Sequence, residues 1–396
     1  MFVNHQYAKL VLDDPVMSVL PVYVLLFLAA VLSIKKSAGQ VFLDAGQTGQ
    51  LKGLAILMIV AGHINLILAG GIRVPNFSGF GVSAFLFCSG YGLAVSTSEK
   101  IYTLKSFFTR RASRIYLPYW LVTAAIIAAD YFVLSSRYPA SGLALTMLGV
   151  NFTGFTDQFD PSRWFVTYII VLYVFFFISV SVAGGWKGRT SILFALVAVM
   201  DALLVVVNGY YPHLVSVGTV RHYIMYSLLF PAGCMAAAYS DEVRASVGRV
   251  MNGPALRAAA VLAVVVFFVL KTLIADPLRG QFDRSDMGSI LVESALWQPA
   301  FAAFLLVSLA ALAALNQAGL RSGFLLFVGG ISYEVYLVHF VFMQRYDPLL
   351  YRKPFALWFL VFLAVVLFMA FLLNRSVGRV RRLLRLDAAS GTERVV

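Results

Sequence analysis

The run Leu51-Lys52-Gly53-Leu54-Ala55-Ile56-Leu57-Met58-Ile59-Val60-Ala61-Gly62-His63-Ile64-Asn65-Leu66-Ile67-Leu68 is apolar apart from a lysine near its start, a histidine eleven positions later, and Asn65. A run of this length and polarity suits a helix crossing a hydrocarbon core about 30 Å thick. If Lys52 stands at one membrane face, His63 lies roughly 16 Å deeper, near the middle of the bilayer. An ionisable ring is costly there, so His63 reads as a functional residue. A structural histidine bonded to a neighbouring helix is the competing reading.

The whole chain agrees with a membrane setting. Its 396 residues are 61% hydrophobic and only 12% charged, with a mean hydropathy of +0.85. Soluble domains are about half apolar and a quarter charged, so this is read as an all-α integral membrane protein. The net charge of +13 is assigned to basic loops on the cytoplasmic side, not to nucleic-acid binding. Cys88 and Cys234 sit in apolar runs and read as packing residues, with no disulfide framework and no metal ligand set. Lys9, Asp13 and Asp14 precede the first apolar run, and Lys35 and Lys36 follow it. That charge order is the reverse of a cleavable signal peptide, so the run is expected to stay as a helix.

Eleven spans are expected, at about 17–34, 51–71, 79–96, 116–134, 162–182, 190–208, 221–239, 255–275, 288–315, 324–343 and 355–374. The apolar stretch 142–155 is too short to span and is expected to be re-entrant over a cavity. The expected division is an N-terminal segment with one extra helix (1–50), a membrane domain (51–375) and a basic cytoplasmic tail (376–396). With the N-terminus outside, the inner face receives Lys35, Lys36, Lys52, Lys100, Lys105, Arg110, Arg111, Arg114, Lys187 and Arg189. It also receives Arg244, Arg249, Arg257, Arg321, Arg375, Arg379, Arg381, Arg382, Arg385 and Arg394. That is well over half of the 31 Lys and Arg, as the positive-inside rule asks. The expected location is the bacterial cytoplasmic membrane. Trp164, Trp297 and Trp358 fall near outer helix ends, as interfacial anchors do. The amphiphilic tail is expected to lie on anionic membrane lipid. No internal repeat is visible, so the inverted-repeat signature of many transporters is missing.

Four constellations carry chemistry. Lys52 and His63 pair an inner-face cation with a mid-membrane imidazole, whose ordinary pKa near neutrality suits general-base work. In Lys105-Ser106-Phe107-Phe108-Thr109-Arg110-Arg111-Ala112-Ser113-Arg114, Arg111 and Arg114 share a helix face and are shaped to clamp phosphates. Ordinary positive-inside charge is the alternative. Gly79-Phe80-Gly81-Val82-Ser83-Ala84-Phe85-Leu86-Phe87-Cys88-Ser89-Gly90-Tyr91-Gly92 has the small residues of close helix contacts. In Ile331-Ser332-Tyr333-Glu334-Val335-Tyr336-Leu337-Val338-His339, one face carries Ser332, Tyr336 and His339 and looks into a cavity or a helix interface. Asp201 and Glu293 are weaker candidates, as carboxylates able to hold the imidazole in one tautomer.

Together these motifs resemble acyltransferase family 3, the O-acetyltransferase type of membrane protein. The resemblance rests on the basic residue eleven positions before His63, the Gly-Val…Phe…Ser-Gly-Tyr span and the Phe-Phe-x-Arg-Arg-x-x-Arg-Ile-x-x-Pro-Tyr loop. It rests further on the Ser-Tyr-x-x-Tyr-Leu-x-His span. Arg163-Trp164-Phe165-Val166-Thr167-Tyr168, continuing to Tyr173, resembles the polysaccharide-modifying members. The likeness runs from about Leu51 to Asn374, so a ten-helix core plus one added N-terminal helix is implied.

The resemblance implies an acyl-CoA co-substrate on the cytoplasmic side, with no permanently bound cofactor. A glycan or lipid-linked sugar hydroxyl is the implied acceptor, and polysaccharide synthesis or export proteins are the implied partners. His63 matches the family's essential histidine. Lys52, Lys105, Arg111 and Arg114 are expected to hold the donor. Ser89, Tyr91, Trp164, Tyr168, Tyr333, Tyr336 and His339 are expected to line the cavity or the acceptor side. Two departures stand out. Position 52 is lysine where arginine is common, and Trp164 is followed by Thr167 and Tyr168 where many members carry a carboxylate. No esterase-like domain follows the bundle, so direct delivery of the acyl group, or hand-over to a separate partner, is expected. The competing functions are a transporter or flippase, and a non-catalytic component of polysaccharide export.

Overall fold

The computed structural model describes residues 10–384 except 13, 38–42, 69–75, 99–102, 152–158, 212, 213, 216, 244, 246–252, 276–281, 283–285 and 348. At 15, 106 and 110 it describes the backbone alone. Lys100, Arg244, Arg249, Arg385 and Arg394, with the later part of the 142–155 stretch, lie outside the described residues.

The chain is a helical membrane bundle, and its helices are α1 (Pro15–Leu32), α2 (Ala45–Ile67), α3 (Ser78–Ser98), α4 (Leu104–Leu134) and the short α5 (Ala140–Met147). They continue with α6 (Trp164–Val182), α7 (Trp186–Tyr210), α8 (Val217–Tyr226), α9 (Leu229–Ala238) and α10 (Pro254–Leu270). The series ends with α11 (Met287–Gln317), α12 (Gly323–Gly330), α13 (Ser332–Val341) and α14 (Phe355–Leu383). Among the described residues eight helices are long and apolar enough to cross a membrane, and a bent pair, α12 with α13, makes a ninth.

The expected count of eleven differs at three places. The first apolar helix, Val16–Leu32, falls just short of the length of a full span. The run 221–239 is two ten-residue helices, α8 and α9. Pro231 in the first turn of α9 offers no N–H to the Ser227 carbonyl at the break, so one continuous helix is disfavoured. The run 324–343 bends by 69° between α12 and α13, after Gly329-Gly330, the pair least able to stiffen a helix. The last helix runs on to Leu383, so Arg379, Arg381 and Arg382 extend the final span as one helix.

Helix α2 is the centre of the bundle. Gly53 meets α12 so closely that a Cβ there would stand 2.1 Å from the Leu325 carbonyl oxygen, and a Cβ on Gly329 would stand 1.9 Å from that of Gly49. Helices α3 and α9 touch in the same way through Gly90 and Gly233. The small-residue reading of 79–92 is therefore right: those residues let backbones approach. By contrast, α10 packs mainly on α11 and otherwise faces outward.

Helix α1 is fastened at both ends. Before it, Leu10 donates its N–H to Ile67 O at 2.7 Å. After it, strand β1 (Ile34–Lys36) pairs antiparallel with β2 (Leu320–Ser322), in the register Ile34↔Ser322, Lys35↔Arg321, Lys36↔Leu320. The Ser33 and Ser322 hydroxyls lie 2.9 Å apart. Arg321 pairs with Asp44, and Ser322 N–H donates to Gln50 Oε1 at 2.8 Å. Because α1 runs antiparallel to α2, residue 10 and Lys52 lie at opposite ends of the bundle.

Candidate active site

The sequence placed Lys52 and His63 on one helix. The structure adds the walls between them. A cavity of about 380 Å³ runs along α2, closed by α3, α4, α6 and α13. Lys52, Arg111 and Arg114 line it at one end, and His63, Ser162, Trp164 and Tyr336 further along. Ser89 and Tyr333 also face it, while no Asp or Glu among the described residues does. Among the described residues neither Lys52 nor Arg111 has a carboxylate partner. Arg111 is held over the rings of Phe107 and Tyr173, at 5.8 and 5.5 Å, and reaches Ser96 Oγ at 3.4 Å. Lys52 and Arg111, on a wall with no Asp or Glu among the described residues, favour an anionic ligand.

Four expected site residues are elsewhere. Lys105 is exposed and does not face the cavity. Tyr91 is buried and stacked on Phe87 at 6.4 Å. Tyr168 is buried and donates to Tyr223 O at 3.0 Å. His339 is also absent from the wall: it stands behind His63, fully buried. Two tryptophans correct the anchor reading, since Trp164 lines the cavity and Trp297 is buried against Phe80 and Phe301.

The contact between the two imidazoles fixes a tautomer. His339 Nδ1 lies 3.0 Å from Val335 O and 2.9 Å from Tyr336 O. Carbonyls only accept, so this nitrogen carries a hydrogen. In the neutral ring Nε2 is then a lone pair. It lies 2.8 Å from His63 Nδ1, which must be the donor. The remaining nitrogen of neutral His63, Nε2, is left unprotonated. His63 is thus both bonded to a neighbouring helix, as the structural reading expected, and open to the cavity, as the functional one did.

Neither expected orienting carboxylate reaches this pair. Glu293 forms a bidentate pair with Arg221, at 2.7 and 2.6 Å. Asp201 stands near Ser227 instead, with its Oδ1 buried. Thr167, near the position of the family's carboxylate, donates to Gly149 O at 2.5 Å and accepts from Asn151 N at 2.8 Å. It therefore ties the start of α6 to the segment after α5. That segment is held by side chains of α4: Tyr119 donates to Thr146 O, Trp120 to Met147 O and Tyr116 to Leu148 O.

The sequence reading missed the turn ahead of α6. Tyr336 donates to Ser162 O at 2.5 Å. Ser162 bonds Asp160 through both N–H and hydroxyl, at 3.0 and 2.7 Å. Arg163 donates to Asp160 at 3.0 Å and to Thr123 Oγ1 at 2.5 Å, its guanidinium between the rings of Tyr119 and Phe159. A signal was present: Asp followed by Pro is a helix-start signature. His222 stacks on Trp164 at 4.6 Å with rings 5° apart.

The profile of the Acyltransferase domain family matches residues 49–375. The chain belongs to acyltransferase family 3. It is therefore a multi-pass membrane acyltransferase. The family match begins after α1 and β1 and ends within α14. Neither the comparison with curated proteins nor that with solved structures gave a match.

Proposed function

We propose that this acyltransferase moves an acetyl group from cytoplasmic acetyl-CoA to a hydroxyl of an extracytoplasmic glycan or lipid-linked sugar. The observation that carries the reading is the single cavity joining three cations to an imidazole with no carboxylate between them. Its size sits at the small end of ligand pockets. That leaves room for a thin pantetheine arm and a short acyl group, with the nucleotide outside. Lys52, Arg111 and Arg114 hold the phosphates at the inner face, and the thioester lies near His63. The acceptor hydroxyl enters from the outer side, beside Trp164 and Tyr336.

The step balances without a further reactant. The hydroxyl oxygen attacks the thioester carbon while His63 Nε2 takes its proton. The carbon–sulfur bond breaks, and the imidazolium returns that proton to the departing thiolate. In the covalent variant His63 Nε2 attacks the thioester carbon and the carbon–sulfur bond breaks to give the thiolate; the hydroxyl oxygen then takes the acetyl group from Nε2, and its proton ends on that thiolate.

Surface glycans from cells with the intact protein, with none, and with His63→Ala at equal membrane abundance test this by mass spectrometry. The expected result is that base-labile acetate present with the intact protein vanishes from the other two. Acetate unchanged in both sinks the acetyltransfer reading. A flippase predicts a different pattern, with the glycan itself failing to reach the surface.

A further inference from the structure

His339 lies 276 residues from His63 in the chain, yet the two are in hydrogen-bond contact. It is fully buried and faces no part of the cavity. Its ring therefore meets no substrate, and the group through which it can act on the reaction is His63. Resting on the acyltransfer role assigned to His63, we propose that His339 is a positioning residue, a neutral acceptor that holds His63 in one tautomer and ring orientation in place of a carboxylate.

Three observations support it. First, His339 cannot turn freely. Its Nδ1–H is shared between Val335 O and Tyr336 O at 3.0 and 2.9 Å, so Nε2 is offered to His63 in a fixed direction. Second, helix α13 is itself pinned. The Tyr336 hydroxyl grips Ser162 O, and Asp160, Arg163 and Thr123 lock that turn to α4. Third, the His63 ring has a second constraint, the Phe340 edge at 5.1 Å and 80°. The imidazole is therefore bounded by groups that leave Nε2 as its working nitrogen.

A neutral partner suits this buried site. A carboxylate against His63 would place an ion in the bundle interior and favour a resting imidazolium, which has no lone pair for the hydroxyl proton. Two neutral rings avoid that charge. Once Nε2 has taken the proton, the same contact becomes a charge-assisted hydrogen bond, about twice as strong as the neutral one. The support thus rises as positive charge develops on His63, when it lowers the barrier.

The test uses inside-out membrane vesicles given radiolabelled acetyl-CoA, with transfer to endogenous base-labile acceptors followed over a range of donor concentrations. His63→Ala, His339→Leu and His339→Gln are compared with the unchanged protein at equal abundance. Glutamine carries an acceptor and a donor on one amide and can reproduce both contacts; leucine fills the space with neither. The expected result is a maximal rate about 100-fold or more lower in His339→Leu. The half-saturating acetyl-CoA concentration should stay within about threefold, and His339→Gln should stay within about tenfold of the unchanged rate. If His63→Ala abolishes transfer while His339→Leu keeps it, or while His339→Leu and His339→Gln lose it equally, the positioning role is overturned and the acyltransfer reading stands. If His63→Ala itself transfers at the unchanged rate, the reading beneath the proposal fails.

Discussion

Arg111 shows how much one side chain can carry. Its guanidinium lies over two aromatic rings and contacts one hydroxyl, with no carboxylate partner among the described residues. A charge-assisted phosphate contact contributes about 1.5–3 kcal/mol, which is roughly 10- to 100-fold in affinity. Arg111→Ala should therefore raise the half-saturating acetyl-CoA concentration by about that factor and change the maximal rate much less. Initial rates in inside-out vesicles read both quantities. An equal fall in the maximal rate with no change in half-saturation contradicts a phosphate contact. Lys105→Ala, in a side chain that is exposed and away from the cavity, should leave both unchanged.

At the scale of helices, the bundle depends on contacts that leave no room for a side chain. Gly53→Ala would set a methyl group 2.1 Å from a backbone oxygen of α12, so α2 and α12 must part. Such overpacking costs about 1–3 kcal/mol, read as a lower thermal midpoint in detergent. Gly378→Ala is the matched control: nothing lies within 4 Å of its new carbon, and alanine stabilises a helix by up to about 1 kcal/mol over glycine. A Gly53→Ala midpoint equal to the parent's would contradict the close contact. Much of this level was legible in the sequence. The apolar run around Ile56 gave α2, and the glycines and serines of 79–92 gave a close-packed helix. The breaks were less visible, because hydropathy stays high through Ser227 and Ile331 while the chain turns. Pro231 and Gly329-Gly330 were the available local signals. The pairing of His63 with His339 was beyond reach, since no local spacing reports which of two distant helices will meet. His339 was therefore placed on the cavity wall, when its ring lies behind it. The missing carboxylate after Trp164 was legible as a gap, but what fills the gap was not.

For the molecule as a whole, the proposed use of a single base on α2, reached from both sides, has an electrical consequence. In the proposed reaction an acyl cation equivalent travels outward, from thioester to hydroxyl. The hydroxyl's proton then travels inward through His63 and leaves on the thiol. One positive equivalent moves each way, so the completed cycle displaces no net charge. A step that moved the acyl equivalent alone would feel about 2.3 kcal/mol for every 100 mV across the membrane, enough to change a rate some fifty-fold. With the counter-moving proton, collapsing the membrane potential at fixed acetyl-CoA should leave the initial rate within about twofold. A potassium diffusion potential imposed on vesicles with valinomycin measures it, and a steep dependence on that voltage would mean that the two movements are not joined at one ring. An enzyme working as proposed would decorate the outside of a cell at the same speed whether the membrane is energised or not.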